Sequence, residues 1–388
     1  MEPRLSSNGS GMTTQIDVGV PVFHRIRASV TSRTVAFNFV LIVLYAVTAA
    51  ATFQGYYSKW TMSDETPSQS LISMLDGIAD RPYVYRQLLP ATANLIEKAL
   101  PERVRSAIST RLENANGALK APTGIDANKT GYVLRYRIVY YLTFLSLFAA
   151  LFVLKSIGEC IGAGRPAAIV APIVFAIMIP VIQTRGGYFY DYPELLAFAL
   201  AARLALAGQV GLLLLLAVPA TLNKESYAFF TLSLWPLLLY RVSGRKALIG
   251  TVGSLAISLA AYAVVHQIYS GNPGSTAIFQ FFRHLSFYAN PLNLFGFDQT
   301  YGIPLFKGYS LIMFAWIGVF AYYGWPNAPH YIKAHIAIAA IVNIPLFFLF
   351  CAEGEMRNLS MLYVGFFVLM ATAMQKWLQV NNQINSEL

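Results

Sequence analysis

Charge is scarce in this sequence: 12% of its residues are charged, against about 25% in ordinary soluble domains. Hydrophobic residues make up 56% of the chain, and its mean hydropathy is +0.52. A soluble globular protein is therefore excluded. Because a bilayer leaves no water for unpaired backbone groups, the apolar runs predict an all-α integral membrane protein.

Familiar catalytic signatures are also missing. The sequence has no glycine-rich phosphate loop, serine-nucleophile elbow or dinucleotide-binding motif. Its five histidines have no metal-ligand spacing, and the net charge of +10 is not gathered in a basic block. We therefore expect no evident cofactor and no nucleic-acid partner. A divalent metal is left open, although no ligand spacing supports one.

About ten apolar runs are long enough to span a bilayer if two short ones are allowed. The runs are Val35–Phe53, Tyr132–Leu154, Ala167–Ile182, Pro193–Ala207, Val210–Leu222, Tyr227–Tyr240, Ala247–Ile268, Gly308–Tyr323, Ala334–Phe350 and Leu359–Ala373. The fourth and fifth runs are short, and a single broken or re-entrant hairpin is the alternative to two separate spans there. We expect a cytoplasmic arm over residues 1–34, a transmembrane domain over 35–378 and a cytoplasmic tail over 379–388.

Basic residues set the expected orientation. By the positive-inside rule, three basic segments, one before the first run and two between later runs, belong in the cytoplasm, which places both termini there and the protein in the inner or plasma membrane. These are Arg25, Arg27, Arg33, Lys155, Arg165, Arg241, Arg245 and Lys246. The large loops 54–131 and 269–307 then lie outside. In the first loop the stretches Ser70–Ile78 and Arg86–Leu100 have helical patterns, and Leu88–Leu100 has an apolar side suited to a helix on the outer leaflet. Cys160 and Cys351 fall on opposite sides, which excludes a disulfide between them.

Acidic residues are unevenly placed. Between Tyr132 and the C-terminal tail there are seven, of which only Glu159 falls on the predicted cytoplasmic side. A charge near the bilayer centre costs about 2.5–3.5 kcal/mol on insertion scales, so acids kept at helix ends on one face indicate a shared function. The six on the outer side are Asp191, Glu194, Glu225, Asp298, Glu353 and Glu355.

Arginines in the first loop are candidates for phosphate binding. Arg81 and Arg86 lie among tyrosines, and a guanidinium offers a fork of donors that suits phosphate oxygens. Anchoring to lipid headgroups is the alternative interpretation. Asp191 has two interpretations as well, as a site residue or as the N-cap of a helix that begins near Pro193, while Glu194 lies one turn deeper than a cap requires.

Two further polar segments end apolar runs on the same predicted side. The segment Asn223–Ser226 contains Lys224 and Glu225, and the segment Glu353–Arg357 ends in Arg357. Adjacent residues of a helix point in different directions, so Lys224 and Glu225 are each expected to find a partner on another element. The structural alternatives are helix-end anchoring for the first segment and a bundle-stabilising ion pair for Arg357.

The arrangement of a first helix, a large external loop and many short-loop spans resembles the GT-C class of membrane glycosyltransferases. Uncharacterised bacterial membrane proteins have similar short segments, which here are Tyr85–Pro90, Asp191–Pro193, Asn223–Ser226 and Glu355–Arg357. The resemblance implies transfer of a sugar from a polyprenyl-phosphate-linked donor to a glycan or lipid acceptor at the extracytoplasmic face. In that class an acid soon after the first helix usually serves as base or metal contact. Asp64 and Glu65 are near that place but in a different sequence context.

The expected site follows from these segments. Asp191, Asp80 and Asp76 are the candidates for the base, and Arg81, Arg86, Lys224 and Arg357 for phosphate binding. Glu194, Asn223, Glu225 and Glu355 would orient the cations. A polysaccharide polymerase or ligase would share this chemistry. A transporter or flippase for a lipid-linked or anionic substrate, and a structural subunit held together by polar contacts, are the non-enzyme alternatives.

Overall fold

The computed structural model describes residues 22–62, 66–113 and 132–387, and the fold within them is predominantly helical. The chain divides into two units, Met1–Leu44 and Tyr45–Leu388. In the first unit the described residues belong to helix α1, Val22–Trp60, which continues into the second. Asp64 and Glu65 lie outside the described residues.

The region after α1 contains short helices. They are α2 (Leu71–Leu75), α3 (Leu88–Ala99) and α4 (Glu102–Glu113), with 3-10 turns at Pro67–Gln69 and Tyr83–Tyr85. Helix α3 buries Leu89, Pro90 and Ala93, while Leu95 is 70% exposed. Helix α3 thus packs on one side, while Leu95 lies on its exposed side.

The long apolar helices follow. They are α5 (Tyr132–Cys160), α6 (Arg165–Ile182), α7 (Asp191–Leu206), α8 (Val210–Asn223), α9 (Ser226–Ser233), α10 (Trp235–Leu239), α11 (Gly244–Ile268), α13 (Leu311–Gly324), α14 (His330–Phe350) and α15 (Tyr363–Glu387), with a 3-10 segment, Met356–Leu362, before α15. Six stretches of the described chain are helical, long and apolar enough to cross a membrane: Thr34–Trp60, Tyr132–Cys160, Arg165–Ile182, Gly244–Ile268, His330–Phe350 and Met356–Gln379. These helices agree with an all-α membrane protein, and they correspond to six of the ten predicted runs.

The other predicted runs correspond to shorter helices. Helices α7 and α8 have 16 and 14 residues and form a hairpin, since a Schellman motif closes α7 before α8 begins. In this motif Gly208 has φ +70°, its N–H donates to the Ala205 oxygen, and the Gln209 N–H donates to the Leu204 oxygen, each at 3.0 Å. The hairpin brings the start of α7 and the end of α8 to the same end of the helices.

The run Tyr227–Tyr240 is not one helix. Helix α9 ends at Ser233 and α10 begins at Trp235, with Pro236 in its first turn. Proline has no backbone N–H and cannot continue the hydrogen bonds of the preceding helix.

The loop after α11 is structured. It contains α12 (Phe281–Ala289), a 3-10 turn at Pro291–Phe295 and a two-stranded antiparallel hairpin, β1 (Phe297–Thr300) and β2 (Ile303–Phe306). Tyr301 and Gly302 form its turn, both with positive φ, as a two-residue hairpin turn requires. The Lys59 amine lies 2.6 Å from the Asp298 carboxylate and ties this hairpin to the end of α1.

Candidate functional site

The candidate site is built around Tyr190, the residue that precedes α7. Its side chain is 1% exposed and its ring stacks on that of Tyr188, with centroids 5.0 Å apart. The Asn223 amide, at the end of α8, donates a 2.9 Å hydrogen bond to the Tyr190 backbone oxygen. Seven ionisable side chains meet here, and we call them the charged cluster: Arg86, Asp191, Glu194, Lys224, Glu225, Glu355 and Arg357.

Arg86 brings the region after α1 into the site. It follows the 3-10 turn Tyr83–Tyr85, and its side chain reaches Tyr190, the residue before α7. Its Nη1 donates to the Tyr190 hydroxyl, and its Nη2 lies 3.2 Å from Glu225 Oε1. The guanidinium lies 4.4 Å from the Tyr190 ring centroid and 5.3 Å from that of Tyr83. Ring faces attract a cation, so these contacts hold the charge of a residue that is only 8% exposed.

Arg357 reaches the same tyrosine pair from the segment Met356–Leu362. Its Nη1 donates to Asp191 Oδ1 at 3.0 Å, and its Nη2 donates to Glu355 Oε1. The guanidinium lies 4.5 Å from the Tyr188 ring centroid and 6.0 Å from that of Tyr190. Tyr190 is therefore shared by two buried arginines from distant parts of the chain.

Asp191 is the first residue of α7 rather than its N-cap. Its Oδ2 accepts a 3.0 Å hydrogen bond from the Tyr188 backbone N–H and a 3.1 Å bond from the Gln183 amide. With Arg357 on Oδ1, both oxygens of this carboxylate are occupied. Asp191 thus fixes the turn between α6 and α7 and positions Arg357.

Lys224 and Glu194 form a buried ion pair, with side chains 6% and 2% exposed. Lys224 Nζ lies 2.9 Å from Glu194 Oε2 and 3.3 Å from the Asn358 side-chain oxygen. Glu194 Oε1 accepts from the hydroxyls of Ser226 at 2.5 Å and Ser360 at 2.9 Å. Because both oxygens have partners, the pair avoids much of the cost of burying two charges and joins α7 to α9 and to the segment before α15.

The seven acids singled out in the sequence all take part in ion pairs. Four belong to the charged cluster, and three lie in pairs elsewhere. The pairs outside the cluster are Lys59–Asp298 at 2.6 Å, Lys155–Glu159 at 2.5 Å and Arg185–Glu353 at 3.6 Å.

Hydrogen-bonding capacity remains at the cluster. Several buried polar atoms there have no hydrogen-bond partner among the described residues, including the Tyr85 hydroxyl, Nε of Arg86, Oε1 of Gln183, Oδ1 of Asn223, Oε2 of Glu225 and Nε of Arg357. A buried polar atom without a partner costs about 1–3 kcal/mol, and more if it is charged. Both donors and acceptors are therefore available to a polar molecule that enters the site.

The pKa values of the ionisable groups around Arg86 are shifted in opposite directions. Burial alone would raise the pKa of Glu225, but the Arg86 guanidinium outweighs it and holds the pKa below its usual value. Burial raises the pKa of Tyr188 and of Tyr190, despite the arginines beside them. At neutral pH an ionised Glu225 thus lies beside the Arg86 guanidinium and near the neutral phenols of Tyr188 and Tyr190.

Three predicted site residues lie in another region. Asp76 caps the end of α2 and pairs with Arg135 of α5 at 3.1 Å. The Arg81 guanidinium donates to the Gly274 oxygen at 2.7 Å, and Asp80 lies against the same glycine. Of the candidates for the base, Asp191 is the one that binds a cation of the charged cluster directly.

Several contributors are not identified by reasoning from charge alone. They are the rings of Tyr83, Tyr188 and Tyr190, the amides of Gln183 and Asn358, and the hydroxyls of Ser226 and Ser360. The sequence signal for the rings is the dense tyrosine spacing in Gly187–Tyr192 and in Tyr83–Arg86. Tyrosine beside arginine is a pattern that favours cation–π contacts.

Among the described residues there is no group of three or more His, Cys, Asp and Glu side chains placed to hold a metal ion. The carboxylates of the charged cluster are each bound to a cationic side chain instead.

No family model, curated protein or solved structure matches this chain.

Proposed function

We propose that this protein is a membrane glycosyltransferase similar to the GT-C class. It would move a sugar from a polyprenyl-phosphate-linked donor to a glycan or lipid acceptor at the extracytoplasmic face of the cell membrane. The observation that carries the proposal is the pair of buried arginines, Arg86 and Arg357, which contact one tyrosine at the end of the α7–α8 hairpin and each keep a buried Nε without a partner among the described residues.

Phosphate is the ligand that best suits these arginines. A guanidinium stays charged at every physiological pH and presents several donors in one plane, which match phosphate oxygens. Lys224 adds a third positive charge 6.0 Å from the Tyr190 ring. When the bond between sugar and phosphate breaks, negative charge grows on the departing phosphate, and cations already held in place stabilise it.

The carboxylates of the cluster prevent these cations from repelling one another. Glu225, Asp191 with Glu355, and Glu194 bind Arg86, Arg357 and Lys224 respectively. The amide of Asn223 holds the Tyr190 backbone in place. Such partners fix the direction of each donor, as supporting residues do in enzyme sites.

A purely structural cluster accounts for the ion pairs but not for the buried donors and acceptors that have no partner among the described residues. Ion pairs that serve only to hold a bundle together are most stable when every donor and acceptor is satisfied. Here Arg86, Arg357 and Asn223 each retain a buried polar atom without a partner among the described residues. We therefore favour a site that binds a polar substrate over a structural contact.

The test compares surface glycans and lipid-linked sugars, by mass spectrometry, from cells with the intact protein, without it, and with Lys224→Ala or Arg357→Ala. Protein abundance in the membrane is measured in each strain, and Lys155→Ala, which breaks an exposed pair, is the matched control. We expect the null and both site variants to lose one glycan or accumulate its lipid-linked precursor, while the control matches the intact protein.

The remaining outcomes distinguish the alternatives. Loss of long chains with retention of the single repeat unit would favour a polymerase or ligase. Unchanged glycans in the null strain would rule out the enzyme under those conditions. Site variants that vanish from the membrane while the control persists would show that the cluster serves stability.

A further inference from the structure

The four carboxylates of the charged cluster differ in what remains free to react. Both oxygens of Asp191, Glu194 and Glu355 accept hydrogen bonds. Glu225 is different, because only its Oε1 is bound, to Arg86. Its Oε2 is buried and has no partner among the described residues.

Glu225 also has the most exposed side chain of the four carboxylates. The Glu225 side chain is 33% exposed, whereas those of Asp191, Glu194 and Glu355 are 8%, 2% and 13% exposed. A hydroxyl that reaches the buried Oε2 of Glu225 would bind there without breaking an ion pair. The same approach to Asp191 would displace Arg357 or the Tyr188 N–H.

An aromatic wall lies next to Glu225. Tyr85 precedes Arg86 in the chain, and its ring is 5.9 Å from that of Tyr262 and 5.4 Å from that of His266, both on α11. The Tyr85 hydroxyl is buried and lacks a partner among the described residues. Apolar ring faces beside a few polar atoms are the usual lining of a site for an amphipathic ligand such as a sugar.

We infer that Glu225 is the general base of the transfer, an inference that rests on the proposed function. Oε2 of Glu225 takes the proton of the acceptor hydroxyl while the acceptor oxygen forms a bond to the anomeric carbon of the donor sugar. The bond from that carbon to the phosphate oxygen breaks, and its electron pair leaves with the polyprenyl phosphate. Arg86 and Arg357 stabilise the charge on this leaving group, and the acceptor sugar packs against Tyr85 and Tyr262.

In this reaction Arg86 thus contacts both the base and the leaving phosphate. Its Nη2 holds Oε1 of Glu225 and orients the carboxylate, while its Nε is available to the phosphate. The base and the leaving-group cation are then side by side. A positioned base contributes about 10²–10⁴-fold to a rate when its geometry is correct.

The experiment uses the full chain in native membranes from a strain that lacks the chromosomal copy, with the extracted polyprenyl-linked sugar fraction as donor and cell-surface glycan from the same strain as acceptor. Transfer is measured per mole of folded protein for Glu225→Gln, Glu225→Asp and Glu159→Gln. We expect Glu225→Gln, which keeps the shape of the side chain, to lower the rate by about 100-fold or more.

We expect Glu225→Asp to lower the rate by about tenfold or more, because its carboxylate is retracted by one methylene from the acceptor hydroxyl. Glu159→Gln, in an exposed pair on α5, should match the intact protein. If Glu225→Gln does not accumulate in the membrane, Glu225→Asp decides. Either variant with the intact protein's rate would overturn the assignment of the base while leaving the proposed function in place. No transfer by the intact protein, together with unchanged glycans in the null strain, would overturn both.

Discussion

The guanidinium of Arg86 lies 4.4 Å from the ring centroid of Tyr190, although the two residues are 104 positions apart in the chain. This contact joins the region between α1 and α5 to the start of α7. It also brings the positive charge of Arg86 to the tyrosine that Arg357 and Lys224 approach at 6.0 Å. The stability of the cluster should therefore depend strongly on this ring.

Two substitutions of Tyr190 distinguish the contribution of its hydroxyl to stability from that of its ring. Tyr190→Phe removes the acceptor of a buried guanidinium, and we expect a loss of about 1–3 kcal/mol in the free energy of unfolding. Tyr190→Leu also removes the ring, so a further loss of about 1–2 kcal/mol should follow. Denaturant unfolding of the purified protein in detergent measures both. Tyr322→Phe, at an exposed position, is the control, and equal losses for both Tyr190 variants would contradict a role for the ring.

The Lys224–Glu194 pair predicts strong coupling between two substitutions. Lys224→Met leaves the buried Glu194 carboxylate without its cation, and Glu194→Gln leaves a buried ammonium without its carboxylate, so each should cost about 3–5 kcal/mol. The double variant should cost much less than the sum, because neither charge remains. A double-mutant cycle on the free energy of unfolding measures the coupling. Additive losses would show that the two side chains do not interact.

The Arg86–Glu225 pair predicts a specific pH dependence of stability. The pKa of Glu225 is lower in the folded protein than in the unfolded chain, so folding favours its ionised form. This stabilisation is fully present above the unfolded value of about 4.3 and is lost as the pH falls through the lower folded value. The difference in free energy of unfolding between the intact protein and Glu225→Gln should therefore shrink below that pH. A constant difference from about pH 7 to about pH 3 would contradict this linkage.

Much of the fold can be predicted from local sequence properties. Long apolar runs such as those of α5, α11 and α14 predict spanning helices because length and hydropathy suffice. The positions where an apolar run breaks into separate helices depend on single residues and on tertiary contacts. Pro236 indicates the break between α9 and α10, and the 3-10 segment before α15 depends on contacts with neighbouring helices.

The site is less predictable, since its partners are far apart in the chain. The position of acids at helix ends predicts that Asp191, Glu194, Glu225 and Glu355 share a region. It does not predict that Glu225 pairs with a residue 139 positions away, because that pairing depends on tertiary packing. For the same reason, the sequence does not distinguish Asp76 and Arg81 from the residues of the charged cluster. In the structure Asp76 binds Arg135 of α5, and Arg81 binds Gly274 in the loop after α11.

The α7–α8 hairpin depends on a glycine. Gly208 has φ +70°, and a Cβ there would lie 2.9 Å from the Val242 side chain. Gly208→Ala should therefore destabilise the protein by about 1–2 kcal/mol, because an L-residue is strained in the left-handed conformation. Gly318→Ala, inside α13 with open space around it, is the matched control and should be neutral or stabilising. Thermal unfolding in detergent measures both, and equal shifts would contradict the role of Gly208 in the turn.

Replacement of Arg86 by lysine tests whether the shape of its donor group matters. The substitution Arg86→Lys would keep the positive charge opposite Glu225 but lose the planar fork, including the Nε that has no partner among the described residues. If Arg86 binds phosphate, this variant should accumulate normally yet lower transfer by about tenfold or more, which corresponds to about 1.4 kcal/mol of transition-state stabilisation. Arg135→Lys, which keeps the charge opposite Asp76, should leave transfer unchanged. Normal transfer by Arg86→Lys would show that only its charge is needed, as a structural ion pair requires.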